Sequence, residues 1–308
     1  MTRPLRVVLH TDSPGRGGAE ISLGNLLGAL DSGGPGAQRE VRPYVLGFDP
    51  EVTRWIADRR PGTPWSLVPG GTRGAAATAA ALARLRPDVV HANLSVPWAC
   101  APGLTAALAV PGVRVVAVQQ LPLRTTALAQ WLRTRALLLR VDAHVAVGTA
   151  SGRRVEDFYA LGRGSVCSVP NGVPDVPLPA PTPRPSGGPL RVVSVARLDP
   201  VKGGDVLLRA LARLPGVEVT LLGEGGWRGH LEGLAADLGV ADRVSLPGWS
   251  ESVQASLVEH DVVVLPSRSE GFPLSVAEAM LASRPVVATG VGSVAELVAD
   301  GETGLLVP

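Results

Sequence analysis

The sequence predicts an α/β protein of two Rossmann-like domains that face each other across a cleft. Three observations predict it. Short β-rich runs alternate with Ala/Leu-rich helical stretches along the chain, the pattern of parallel sheets covered on both faces. A length of 308 residues suffices for two cores of ordinary size. The segment 173–189, VPDVPLPAPTPRPSGGP, interrupts the alternation with prolines that remove ladder donors and stiffen the chain, as an interdomain connector does. The expected partition is a first domain over 1–177, a Pro-rich linker over 178–189 and a second domain over 190–308. Ligands of open parallel sheets sit beyond the carboxyl ends of the strands, so the cleft is the expected site.

In chain order, β-rich runs at 6–10, 41–48, 88–91, 114–118, 144–147 and 166–169 read as the first domain's strands, with helices at 20–30, 75–85 and 127–140. After the connector, strands are expected at 191–195, 217–222, 244–246, 261–265, 285–289 and 305–307. Helices are expected there at 205–214, 231–238, 253–258 and 273–282. The apolar run 7–9 is too short for a signal peptide and reads as a first strand. The longest uncharged stretch, 92–113, is broken by Pro97, Pro102, Gly103, Pro111 and Gly112. It reads as a core helix between loops, since a spanning helix needs about 20 unbroken apolar residues.

Hydrophobic residues make up 45% and charged residues 18% of the chain, which fits a globular protein rather than a disordered one. A net charge of +2 without a basic block excludes a nucleic-acid groove. Cys100 and Cys167 lie far apart with no ligand spacing, which fits a reducing cytosol. The five histidines show no ligand spacing either, so no metal is expected. Arginine is abundant, yet Lys202 is the single lysine. Either it survived a coding bias by chance, or its compact ammonium is needed where arginine's planar fork would not serve.

The most informative stretch is DVVVLPSRSEGFPLSVAEAMLA at 261–282. A buried strand ends at Pro266, a loop carries Glu270, Gly271 and Phe272, and Pro273 suits a first helical position. The amides of Leu274 and Ser275 would be unpaired donors at a helix start whose dipole favours an anion, a plausible metal-free diphosphate seat. Glu278 lies about 7.5 Å further along the axis, so Glu270 and Glu278 would flank that seat, unless they are solvated charges. In VARLDPVKGG at 195–204, Arg197 and Lys202 follow a strand, where cations could neutralise a leaving diphosphate. A solvent-facing loop is the alternative. The turn PGRGGAE at 14–20 places Gly17 and Gly18 before a helix, fit for close approach to a ligand or simply for a tight turn.

The run EGFPLSVAEAM, with seven residues between Glu270 and Glu278, resembles the signature of retaining GT-B glycosyltransferases of group 1, family 4. In order around it, GGAE, PDVVHAN, VPNGV, VARLDPVKGG, LLGEG, RVSLPG, RPVVATGVGSVAELV and DGETGLLVP resemble segments of the same family, covering nearly the whole chain. The resemblance implies a UDP- or GDP-linked sugar donor, no cofactor, and retention of anomeric configuration, with the leaving phosphate helping to deprotonate the acceptor. Glu270 would contact the sugar hydroxyls with the backbone of 271–274, and Glu278 the ribose. Arg197 and Lys202 would pair with the diphosphate while Gly17 and Gly18 close over it. Gly223, Glu224 and Gly248 would lie near the base and ribose. The absence of any Asp-x-Asp pair argues against metal-using glycosyltransferases.

Two departures stand out. Many relatives carry a histidine after the strand at 114–118, where Gln119 or Gln120 stands here, and glutamine cannot act as an acid or base. Family members also continue beyond the position of Pro308, so the second domain is expected to be incomplete at its C-terminal end.

A transferase acting on a glycan, lipid-linked or small-molecule acceptor in the cytoplasm is therefore the favoured reading. An epimerase or phosphorylase on the same fold, or a non-catalytic binding or partner subunit, remains open. The segment TALAQWLRTRALLLR at 126–140 mixes Trp131 and leucines with Arg133, Arg135 and Arg140. It would either rest on the inner face of a membrane or be an ordinary surface helix with arginines facing water.

Overall fold

Valine-rich runs become the strands of two parallel sheets in the computed structural model, which describes residues 3–30 and 40–308. The chain divides into two units, Met1–Gly172 and Val173–Pro308. The first contains, in order, β1 (Leu5–Thr11), α1 (Gly18–Ala29), β2 (Val41–Gly47), α2 (Pro50–Ala57), β3 (Trp65–Leu67), α3 (Thr72–Leu85), β4 (Val89–Leu94), α4 (Ala101–Ala109), β5 (Arg114–Gln119), α5 (Leu128–Leu138), β6 (Ala143–Ala146), α6 (Thr149–Phe158) and β7 (Cys167–Ser168). Its sheet has the order β3-β2-β1-β4-β5-β6-β7 among the described residues.

The second unit runs β8 (Leu190–Val195), α7 (Gly204–Leu211), β9 (Val217–Leu222), α8 (Arg228–Asp237), β10 (Val244–Gly248), α9 (Val253–Glu259), β11 (Val262–Leu265), α10 (Leu274–Leu281), β12 (Val286–Thr289) and β13 (Gly304–Val307). Its sheet order is β10-β9-β8-β11-β12-β13 among the described residues. Strands such as β11, VVVL, are apolar on both sides because helices cover both faces of a parallel sheet. In this unit one core cluster gathers Val193, Val263, Val276 and Val286, and another gathers Val192, Leu208, Val219 and Leu231. The first unit has corresponding clusters around Val90, Leu104 and Tyr159 and around Leu9, Leu27 and Ile56.

The amino ends of the strands are tied by one repeated device. Asp88, Asp142 and Asp261 each precede a strand and accept from a backbone N–H of the neighbouring strand: Arg6 at 2.8 Å, Val115 at 2.8 Å and Arg191 at 2.8 Å. For Asp88 and Asp142 that amide is the largest influence holding the carboxyl below its usual range. For Asp261 the Arg191 side chain acts first and the Arg191 amide adds to it.

Several expectations need adjusting. Only Ala101–Ala109 of the stretch 92–113 is helical, because its first residues finish β4. Pro273 is the N-cap of α10 and not its first helical residue, since its ψ of 113° is extended. The elements β3, α2 and α6 stand where no element is expected from sequence. The segment 173–189 forms no regular element. It belongs to the second unit, where Leu178 packs on the core and the Thr182 amide donates to Val258 O at 2.9 Å.

Candidate functional site

In the second unit β8 lies between β9 and β11, so successive strands leave it on opposite sides. The loops after β8 and β11 therefore meet at the switch point, where an open parallel sheet offers its ligand crevice. The loop after β8 carries a short 3₁₀ turn, Pro200–Lys202, capped by Asp199, whose Oδ1 accepts from Val201 N at 3.0 Å and Lys202 N at 3.2 Å. The next residue, Gly203, has φ +68°, and a Cβ there would lie 2.0 Å from Pro266 O. Only glycine lets the two loops come this close. Arg268 fixes the approach: its amide donates to Val201 O at 2.7 Å, and its guanidinium grips Asp205 through two bonds of 2.9 and 2.8 Å.

This packing brings Lys202 Nζ to 2.7 Å from Glu270 Oε1. Glu270 is only 4% exposed, and a buried carboxylate is costly unless a cation and hydrogen bonds meet it. From the other side Gly292, at φ +58°, lies so near that a Cβ would sit 1.9 Å from Glu270 O. The adjoining Ser293 amide donates to Gly271 O at 2.9 Å. The Glu270–Gly271 turn is thus held between two loops.

Helix α10 starts directly after this turn. Among the described residues no side chain caps it, so the amides of Leu274 and Ser275 are among the first-turn donors that a helix leaves for an outside acceptor. Phe272 is half-buried beside Pro273. Glu278 is also half-buried, and no hydrogen bond or ion pair meets its carboxyl among the described residues. Burial pushes that carboxyl up to about 7.

The structure brings Lys202, Glu270 and the start of α10 together. Arg197 is exposed and engaged elsewhere, with Nε 2.7 Å from Asp199 Oδ2. Gly223 and Gly248 lie at the ends of β9 and β10, where Gly223 N donates to Gly248 O at 2.9 Å. Glu224 receives Arg228 Nη2 at 2.9 Å, and this pairing holds its carboxyl below the usual range. The sequence reading passed over Asp199, Asp205 and Arg268, which set the loops. Asp199 and Arg268 follow adjacent strands and Asp205 sits in the first turn of α7, but nothing local in the sequence marks their pairing.

In the first unit the corresponding switch lies between β1 and β4. Gly17 is the N-cap of α1, Gly18 its first residue, and Gly17 N donates to Glu20 Oε2 at 3.1 Å. A chain of hydrogen bonds leads away from this turn. Asn93 Nδ2 donates to Ala19 O at 3.0 Å, Gln120 Nε2 to Asn93 Oδ1 at 2.9 Å, and Asn171 Nδ2 to Gln120 Oε1 at 3.0 Å. Ser22 Oγ then donates to Asn171 Oδ1 at 2.5 Å, and Asn25 Nδ2 to Gly172 O at 3.1 Å. All three asparagines of the sequence serve this one loop cluster.

The two glutamines take different places. Gln119 ends β5 and donates to His144 Nε2 at 3.1 Å, while burial pushes the His144 ring down to about 4 and keeps it neutral. Gln120 belongs to the chain of amides just described. Burial likewise lowers His10 and takes His91 to about 4. Among the described residues no three His, Cys, Asp or Glu side chains group as metal ligands would.

The chain is similar to known proteins in sequence and in fold. A family model described as Glycosyltransferase Family 4 matches residues 16–175, and one described as Glycosyl transferases group 1 matches residues 189–308. A D-inositol 3-phosphate glycosyltransferase of Mycobacteroides abscessus is 44% identical over 124 residues, covering 38% of this chain and 28% of that protein. The lipopolysaccharide core biosynthesis glycosyltransferase LpsE of Rhizobium meliloti is 37% identical over 155 residues, covering 50% and 42%. The chain thus matches less than half the length of these curated relatives. Among solved structures, Anabaena HepE in complex with UDP-glucose superposes with a TM-score of 0.81 at 22% identity, covering 98% of this chain and 85% of HepE. Sucrose-phosphate synthase from Thermosynechococcus elongatus gives 0.79 at 19% identity, covering 99% and 86%.

Proposed function

The chain belongs to glycosyltransferase family 4, and from that premise we propose that it is a retaining, metal-independent glycosyltransferase. It moves a sugar from a UDP- or GDP-linked donor to a hydroxyl of a glycan, lipid-linked or small-molecule acceptor. The reaction runs in the cytoplasm, at the inner face of the membrane where the acceptor is lipid-linked. HepE structures holding UDP and UDP-glucose support a nucleotide-sugar donor.

The observation that carries the reading is the Lys202–Glu270 pair beside the start of α10. The donor's diphosphate receives the amides of Leu274 and Ser275, where the helix dipole favours negative charge. Lys202 supplies a compact cation that shifts toward the bridging oxygens as the sugar–phosphate bond breaks. Charge held in place where it grows in the transition state is the largest single contribution many enzymes make. Arg197, freed from Asp199, adds a second cation. Glu270 and the backbone through Gly271, Phe272 and Pro273 hold the sugar hydroxyls, and Glu278 accepts from the ribose diol. Gly223, Glu224 and Gly248 border the base and ribose. Of the first unit's residues, Gly17 and Gly18 serve the diphosphate and Gln120 the reacting sugar, where glutamine orients groups without exchanging protons.

The test incubates the purified chain with UDP-glucose or GDP-mannose in EDTA and follows nucleotide release, with the anomer of any product read by NMR. Release with retained configuration, abolished in Glu270→Ala, supports the reading. Donor binding with no turnover under any condition overturns it in favour of a binding subunit.

A further inference from the structure

Helix α5 shows the reverse of the usual surface-helix pattern, in which the outward face is polar. Its inward face is secured: Thr134 and Leu138 are buried, and Trp131 Nε1 donates to Phe158 O at 2.7 Å. Its outward face carries Leu128 at 70%, Leu132 at 54% and, at the C-cap, Leu139 at 55% exposure. At 3.6 residues per turn, these leucines and exposed Ala136 fall within an arc of about 80°. Arginines border the stripe on both sides. Arg133 and Arg140 are exposed on one flank and meet no acidic side chain among the described residues. Among the described residues, Arg135 on the other flank bonds only to a neutral acceptor, Ala160 O at 3.1 Å, and stacks near Trp131. Arg124 is exposed just before the helix, and no Asp or Glu occurs anywhere from 124 to 141.

We propose that this face of α5 docks on an anionic lipid bilayer. The leucine stripe calls for an apolar medium, and the flanking guanidinium groups call for negative charge at its border. The headgroup–acyl boundary of an anionic leaflet supplies both in that order. A second copy of the chain meets the pattern poorly, because joining two such faces sets arginines against arginines. With 11 residues the helix is about 16 Å long, so it lies along the surface. No helix among the described residues is long and apolar enough to cross a membrane. The inference rests on the exposed face of α5 alone and holds whether or not the chain transfers a sugar.

The experiment is flotation of the purified chain with vesicles of phosphatidylcholine alone and with a third phosphatidylglycerol. Two variants are compared, Leu128→Ser/Leu132→Ser and Arg133→Glu/Arg140→Glu, at low and high salt. We expect binding to the anionic vesicles alone, weakened by salt and reduced at least tenfold in each variant, with unchanged circular dichroism and a monomer by light scattering. Wild-type protein that ignores anionic vesicles overturns the proposal, as does binding indifferent to both variants. A dimer that the leucine variant dissolves, with no effect on vesicles, overturns it in favour of self-association. Should a variant fail to fold, hydrogen exchange of the wild type decides: vesicle-dependent protection over 124–140 is required.

Discussion

Lys202 Nζ lies 2.7 Å from Glu270 Oε1, joining the single lysine of the sequence to a carboxylate that is almost wholly buried. Each partner makes the other tolerable, and removing the cation leaves a buried charge unpaired. Lys202→Ala is expected to lower kcat/KM by about two to three orders of magnitude, the usual effect of losing a group aimed at developing charge. It also lowers the melting temperature by several degrees, which a thermal scan measures. Lys202→Arg is expected to restore part of the stability and little of the rate, since a planar fork does not fill the place of a point charge.

Glu278 gives a prediction in pH. Burial raises its carboxyl from 4.5 to about 7, so between those values the folded chain keeps a proton that the unfolded chain has released. Stability from this group is fully present below about 4.5 and is lost as pH rises through 7. Glu278→Gln is therefore expected to match the wild type near pH 4 and to exceed it by about 1–3 kcal/mol at pH 8, as read by urea unfolding at each pH. If the ribose diol binds the ionised form, nucleotide binding near pH 7 also releases a proton. Calorimetry in buffers of different ionisation enthalpy measures that release.

Gly292 offers a test that leaves every polar group in place. Its φ of +58° and its nearness to Glu270 O mean that a methyl group cannot fit without moving the turn. Gly292→Ala is expected to cost about 2 kcal/mol or more and to weaken nucleotide-sugar binding at least tenfold, while the circular dichroism spectrum stays native. Unchanged affinity would mean that the turn does not need this clamp.

The amide chain of the first unit predicts a local effect. Asn171→Ala strands the Gln120 amide in a buried place and costs about 1–3 kcal/mol. Because Asn93 holds Ala19 O at the far end, faster hydrogen exchange is expected to reach residues 15–20. Exchange that rises only around 171 would show that the links act separately.

Most of the framework was legible because parallel strands announce themselves. The run VVVL of β11 is apolar on both faces, and no helix period competes over four residues. β3 escaped because it has three residues at the sheet edge with Trp65 and Leu67 exposed, so neither a long run nor an alternation marks it. Helix α6 opens on Gly148, Thr149, Ser151 and Gly152, residues that read as a loop. Helix α2 was announced by Asp49, which caps Val52 N, and by Pro50, but it is short. In the site, the places of Lys202 and Glu270 at strand ends could be read, whereas their contact across 68 residues could not. It depends on the close approach at Gly203 and on the Arg268–Asp205 grip, which no local pattern encodes. The link from Ser22 to Asn171 spans 149 residues and is equally silent in sequence.

Calorimetric titration with UDP and with GDP, in EDTA, of the wild type and of Lys202→Ala tests the central claim most directly. The account predicts that one nucleotide binds the wild type without metal, more weakly as salt rises, and at least tenfold more weakly in the variant. Equal affinity in the two proteins would place the diphosphate away from Lys202 and the start of α10, and would contradict the account.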